Sequence, residues 1–261
     1  MDRAALKTPV KKIAKKVAKK AAAKKAVAKT VASPDVEAVL RALEKGGSKK
    51  FRAEMGPRYG LFVEQAWGTP MAQIKAIAKP LGKDHALAQK LWDSGWYEAR
   101  LLASIVDDPA LVTSSQMDKW RRDFDNWGVT DTVCFNLFDR TPHALAKVHQ
   151  WAKLNDEFGR RAGFALLACV SLHRSKMSDA DLLECLPLIE AASTDARNFV
   201  KKGVNWALRA MGGRNLKLNA ACVALARKLA ASEDATARWV GKDALRALTG
   251  AAMAKRLNRR R

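Results

Sequence analysis

Five apolar segments, each opening on an aromatic residue, limit what this chain can fold into more than any other feature. They are Trp96-YEARLLASI, Trp127-GVTDTVCFNLF, Phe158-GRRAGFALLA, Phe199-VKKGVNWALRA and Trp239-VGKDALRALT, with successive spacings of 31, 31, 41 and 40 residues. Their apolar positions follow a helical period, and the strict alternation of a half-buried strand is essentially missing. Segments such as Asp181-LLECLPLIEAA and Asn215-LKLNAACVALARKLAA fall between them and read as partner helices. Helix pairs at this period cannot bury their apolar faces alone, so they stack on their neighbours. The expected fold is an all-α solenoid whose second helices line a concave surface.

Local signals set the boundaries. Ser33-Pro34 reads as a helix cap and first turn, and Gly46-Gly47 as its stop. Ser178-Asp179-Ala180-Asp181 opens another helix, and Gly212-Gly213 closes the one holding Trp206. The solenoid is therefore assigned to residues 34–254. Residues 1–33 carry eleven Lys/Arg against the single acid Asp2, and residues 255–261 five more cations. Both are assigned as basic tails. The Lys/Ala-rich segment 1–33 buries too little apolar surface to order itself, yet Ala and Lys form helix readily once phosphates neutralise the charge. A formal charge of +22 calls for a polyanion. Membrane docking through Ile13 and Val17 is the competing reading, but that face has no Leu, Phe or Trp. A solubilising tail is the third.

No 18-residue apolar run and no hydrophobic leader are present, which argues against membrane spanning and secretion. Cys134, Cys169, Cys185 and Cys222 lie far apart in apolar runs, as reduced, buried thiols of a cytoplasmic, nucleoid-associated protein would. Cys169 and His173 stand four apart on a helix, without a third or fourth metal ligand at hand. The glycine motifs of nucleotide sites and the GxSxG of serine hydrolases do not occur, so neither metal nor cofactor is expected.

The residue three after each aromatic is Ala99, Thr130, Arg161, Lys202 and Lys242. If this row faces the concavity, its cations make a ladder that tracks a phosphate backbone; the alternative is a solvated outer face. Asp131, beside that row, is either a helix N-cap or a functional acid.

Several stretches bear a specific resemblance. RYG…WGTPMAQIKAIAK from Arg58, LWDSGWYEARLLASIVDDP from Leu91, WRRDFDNWGVTD from Trp120, WAKLNDEFGRRAGFALLA from Trp151 and FVKKGVNWALRAMG from Phe199 run in order across most of residues 48–250. In these the chain resembles the AlkC/AlkD-like family of DNA alkylation-repair glycosylases. The resemblance implies a HEAT-like solenoid, a right-handed superhelix of antiparallel helix pairs. It further implies excision of cationic N3- or N7-alkylpurines from duplex DNA by a monomer without cofactor, the lesion staying in or near the duplex. Trp127 and Asp131 match the family's W-x-x-x-D pair, Arg161 its arginine beside the lesion's backbone, Trp206 its second tryptophan and Tyr59 an aromatic near the lesion. Gly128 and the short Gly68-Thr69-Pro70 turn depart from the pattern. Two alternatives stand beside the enzyme: a solenoid that binds damaged or branched DNA without catalysis, and a helical scaffold for protein partners.

Overall fold

The computed structural model describes residues 35–173 and 177–259; the Lys/Ala segment, Pro34 and Arg260–Arg261 lie outside them. Among the described residues the regular structure is entirely helical. In order these are α1 (Val36–Lys45), α2 (Lys49–Tyr59), α3 (Met71–Leu81), α4 (His85–Asp93), α5 (Tyr97–Val106), α6 (Ser114–Arg122) and α7 (Trp127–Asn136). A short 3-10 turn (Phe138–Arg140) leads to α8 (Ala144–Trp151), α9 (Glu157–His173), α10 (Asp179–Leu183), α11 (Leu186–Ala192), α12 (Asn198–Gly212), α13 (Leu216–Ala230), α14 (Ala235–Thr249) and α15 (Ala251–Asn258).

The aromatic-headed segments form one row of packed helices: α5 on α7, α7 on α9, α9 on α12 and α12 on α14. Partner helices back this row, α4 against α5, α8 against α9 and α13 against α14. The 17-residue α9 lies at the centre, and nearly all of it from Arg161 to Ser171 is buried. Behind it, Trp92, Trp120, Phe138 and Trp151 form an aromatic ladder through the core, with the first two rings stacked at 4.0 Å.

The local grammar holds at most ends. Ser178 and Asp181 make a reciprocal capping box, Asn215 caps α13, and Gly46 and Gly213 stop their helices. Three expectations change. The segment from Asp181 is two helices, α10 and α11, because Pro187 has no N–H to donate to a continuous ladder. The first cap is Asp35, whose carboxylate accepts from Glu37 N–H. Residues 255–258, expected in a basic tail, belong to α15 and bury Leu257.

One loop is fixed firmly. Glu98, fully buried on α5, accepts from the N–H groups of Trp67, Gly68 and Thr69 at 3.1, 2.7 and 3.2 Å. Gly68 has φ of 76°, and a Cβ there would meet backbone atoms of Ser48 and Arg52. Trp67 then stacks on Trp96 at 3.9 Å. This anchors the far end of the loop whose near end carries Tyr59.

Candidate functional site

Helix α7 turns Trp127, Asp131 and Phe135 to one side, as a spacing of four requires. Its N-cap is Asn126, whose Oδ1 accepts from Val129 N–H at 2.9 Å. Asp131 lies in the second turn and does no capping. Gly128 lets the preceding loop approach: a Cβ would stand 2.6 Å from Tyr97 Oη and 2.9 Å from Leu61 Cδ2. The departure from the family pattern at this glycine is thus a packing requirement. With the loop seated there, Trp127 Nε1 donates to the Tyr59 carbonyl at 3.0 Å.

The Asp131 carboxylate is held by Arg161 on α9. Arg161 Nε donates to Oδ1 at 2.9 Å and Nη2 to Oδ2 at 2.6 Å, a bidentate pair. Arg161 Nη1 donates to the Phe199 carbonyl at 2.6 Å, which ties α9, α7 and α12 together at one point. Three of the five guanidinium hydrogens are committed in this way. The Asp131 side chain is 20% exposed against 8% for Arg161, so the acid fronts the cleft and the arginine backs it. Burial pushes the Asp131 carboxyl up and the Arg161 charge and hydrogen bonds draw it back; the net position is above the ordinary carboxylate value.

Three adjoining recesses share Asp131. The first, about 460 Å³, is walled by Tyr59, Trp127, Arg161, Phe199 and Lys202. The second, about 340 Å³, runs under Trp206 towards Arg209, Trp239 and Asp243. The third, about 210 Å³, has Met71, Phe135 and Trp206 as apolar walls and Lys75 at its edge. Arg58, Lys75, Arg161, Lys202 and Arg209 thus face Asp131 and Asp243 across the cleft. A cleft with this cationic excess, with Trp127 and Trp206 in recesses that share Asp131, suits a polyanion lying along it.

Of the residues singled out from sequence, Asp131, Trp127, Trp206, Arg161, Lys202 and Tyr59 come together here. Lys242 does not: it is exposed on α14, where the cleft takes Asp243 instead. Ala99 and Thr130, the first members of the proposed ladder, are fully buried. The sequence reading passed over Lys75, Phe135, Arg209 and Trp239. Arg209 follows Lys202 and Trp206 at helical spacing, a signal present in the sequence, whereas nothing in the repeat pattern marks the Trp239 side chain as cleft-facing. Cys169 is buried, and His173 turns its Nδ1 to the buried Asp139 instead of towards the thiol. No helix among the described residues is long and apolar enough to cross a membrane.

A family model described as the DNA alkylation repair enzyme family matches residues 39–248. Among solved structures, one described as belonging to a new family of proteins related to the HEAT-like repeat DNA glycosylases, with affinity for branched DNA structures, matches with a TM-score of 0.69. It is 18% identical, and the match covers 85% of this chain and 96% of that one, a likeness of fold. No curated protein matches the chain.

Proposed function

The chain belongs to the DNA alkylation repair enzyme family, and from that premise we propose that it is a DNA glycosylase that hydrolyses the N-glycosidic bond of cationic N3- or N7-alkylpurines in duplex DNA. The observation that carries this reading is the Asp131 carboxylate, fronting a cationic cleft between recesses lined by Trp127 and by Trp206.

The chemistry asks little of a general acid. An alkylated purine already bears positive charge, so the bond from C1′ to the base breaks with both electrons moving onto the base, which leaves neutral. The positive charge passes to the sugar as an oxocarbenium-like centre. Asp131 stabilises it electrostatically and orients the water whose oxygen bonds to C1′; the water's proton leaves through the carboxylate or solvent. Both Asp131 oxygens accept from Arg161 yet keep further lone pairs for this work. Trp127 and Trp206 present π faces to the cationic sugar or base, worth about 0.5–2 kcal/mol each. Arg161 offers its two remaining N–H groups to the flanking phosphate, Lys202 and Arg209 track the backbone, and Tyr59 stands beside the lesion. Lys242 adds a contact to phosphate outside the cleft, and the Lys/Ala segment 1–33 adds non-specific affinity for phosphates. The products are a free alkylpurine and an abasic site.

The test is incubation with methylated duplex DNA followed by chromatography of released bases. Free 3- or 7-alkylpurine is expected; its absence overturns the enzymatic reading. The affinity for branched DNA structures in the structural relative's description favours one second reading, a solenoid that binds branched DNA. Tight binding to a four-way junction with no base release from alkylated duplex would establish it.

A further inference from the structure

All eight tryptophans lie among the described residues, and Trp239 differs from the rest. Trp92, Trp120 and Trp151 are buried, while Trp67, Trp96, Trp127 and Trp206 pack against the core. Trp239 is the most open of the eight, with 41% of the residue exposed. It sits on α14 in the recess that also holds Asp131, Trp206 and Arg209. Lys201 Nζ lies 5.1 Å from its ring centroid, so the indole holds an ammonium group at this edge of the cleft. An indole with two-fifths of the residue open, beside a positioned lysine and lining the cationic cleft, has the composition of a backbone clamp. The ring offers a flat apolar face to a deoxyribose, Nε1–H is a donor and never an acceptor, and Lys201 supplies the charge a phosphate needs.

We propose that Trp239 and Lys201 form a second DNA-backbone station that grips the sugar and phosphate of a nucleotide flanking the lesion. This rests on the repair reading, since it assumes DNA along the cleft, but it concerns positioning and not the reacting atoms. Asp243 does not oppose a phosphate here with its full charge, because it is paired to Arg246 on its own helix. The station joins α12 and α14 while the acid sits on α7, so it bears on the register of the duplex from the far side of the recess that it shares with Asp131.

The experiment measures binding and excision separately on a duplex with one 3-alkylpurine. Single phosphates on either side of the lesion are replaced in turn by neutral methylphosphonates. For the unaltered protein, neutralisation at one flanking position should weaken binding about tenfold. Trp239→Ala and Lys201→Ala should each weaken binding to the all-phosphate duplex by about tenfold and abolish the penalty at that one position. Their double variant should lose little more than either single change, because the two act as a unit. Trp239→Phe, which keeps a ring and removes the N–H, should fall between. Half-saturating concentration should change far more than the saturated excision rate. The inference is overturned if neither substitution alters affinity. It is equally overturned if every phosphate position stays as sensitive as in the parent, or if saturated excision collapses while affinity holds. Because binding is read directly, a protein that gripped the duplex this way and released no base would sink the glycosylase reading and leave the clamp standing.

Discussion

The back wall and the cleft of this solenoid use the same residue types for opposite ends. On the back wall, Trp92 and Trp151 give their indole N–H groups to Asp123 and Asp118 at 2.7 and 3.0 Å, and their rings continue the core ladder through Trp120 and Phe138. In the cleft, Trp127 and Trp206 are half-buried and leave part of their rings open. The acids divide likewise. Burial raises the Asp118 carboxyl, but hydrogen bonds from Lys147 and Trp151 and nearby charge outweigh it, so Asp118 rests below the ordinary carboxylate value. Asp131 rests above it, since burial there exceeds what Arg161 returns. Asp107 is raised by burial too, yet it is held by His85 and Gln116, so it is the place of Asp131 at the front of the cleft, beside its shift, that marks it for chemistry.

The largest way to break this contrast is Trp120→Ala. Deleting a fully buried ring from the ladder should cost about 3–5 kcal/mol of stability, read by denaturant unfolding. A loss under about 1 kcal/mol would mean that the ladder is not what joins the repeats. Trp127→Ala and Trp206→Ala should reverse the pattern: excision falls about 5–30-fold, as 1–2 kcal/mol of lost interaction implies, while the unfolding midpoint moves far less than for Trp120→Ala. If either cleft variant unfolds as readily as the core variant, the division between the two sets of tryptophans is wrong.

The pH dependences sharpen the comparison between the acids. Asp131 works ionised, so excision should rise as pH climbs through its raised pKa. Its contribution to stability runs the other way. A folded-state pKa above the unfolded value favours the fold fully below the ordinary carboxylate pKa, and that advantage is lost as pH rises through the raised value. Arg161→Ala removes the influence that lowers the pKa, so the acid limb of the single-turnover rate should move to higher pH; an unmoved limb contradicts the pairing. Asp118 has the opposite sign. Its stabilisation is present above the ordinary carboxylate pKa and fades as pH falls through the lower folded value. Asp118→Asn should therefore flatten the acid side of a melting-temperature profile, the smallest of these effects because the side chain is 38% exposed.

The repeat and the W-x-x-x-D pair were legible because both are local: a helix fixes which residues share a face. The cationic ladder was not, and the reason is rotational. The marker aromatic is the first residue of α7, the second of α9 and α12, and the fifth of α14. Each helix is also turned differently about its own axis, so counting three onward from the marker lands on different faces. It gives buried Thr130 on α7, cleft-lining Lys202 on α12 and outlying Lys242 on α14. The bidentate Asp131–Arg161 contact joins residues 30 apart, and no helical period encodes it. Nor does sequence distinguish the exposed indole of Trp239 from the buried one of Trp120, since helices of similar pattern carry both.

If the protein is the proposed glycosylase, Asp131 acts on bound DNA and does not merely hold the cleft together. Single-turnover excision at saturating protein, measured beside duplex affinity for Asp131→Asn, tests it most directly. Release should fall by about 10²–10⁴-fold, with affinity equal or tighter because a negative charge near phosphates is gone. Excision at the parent rate by a folded Asp131→Asn protein would contradict the claim.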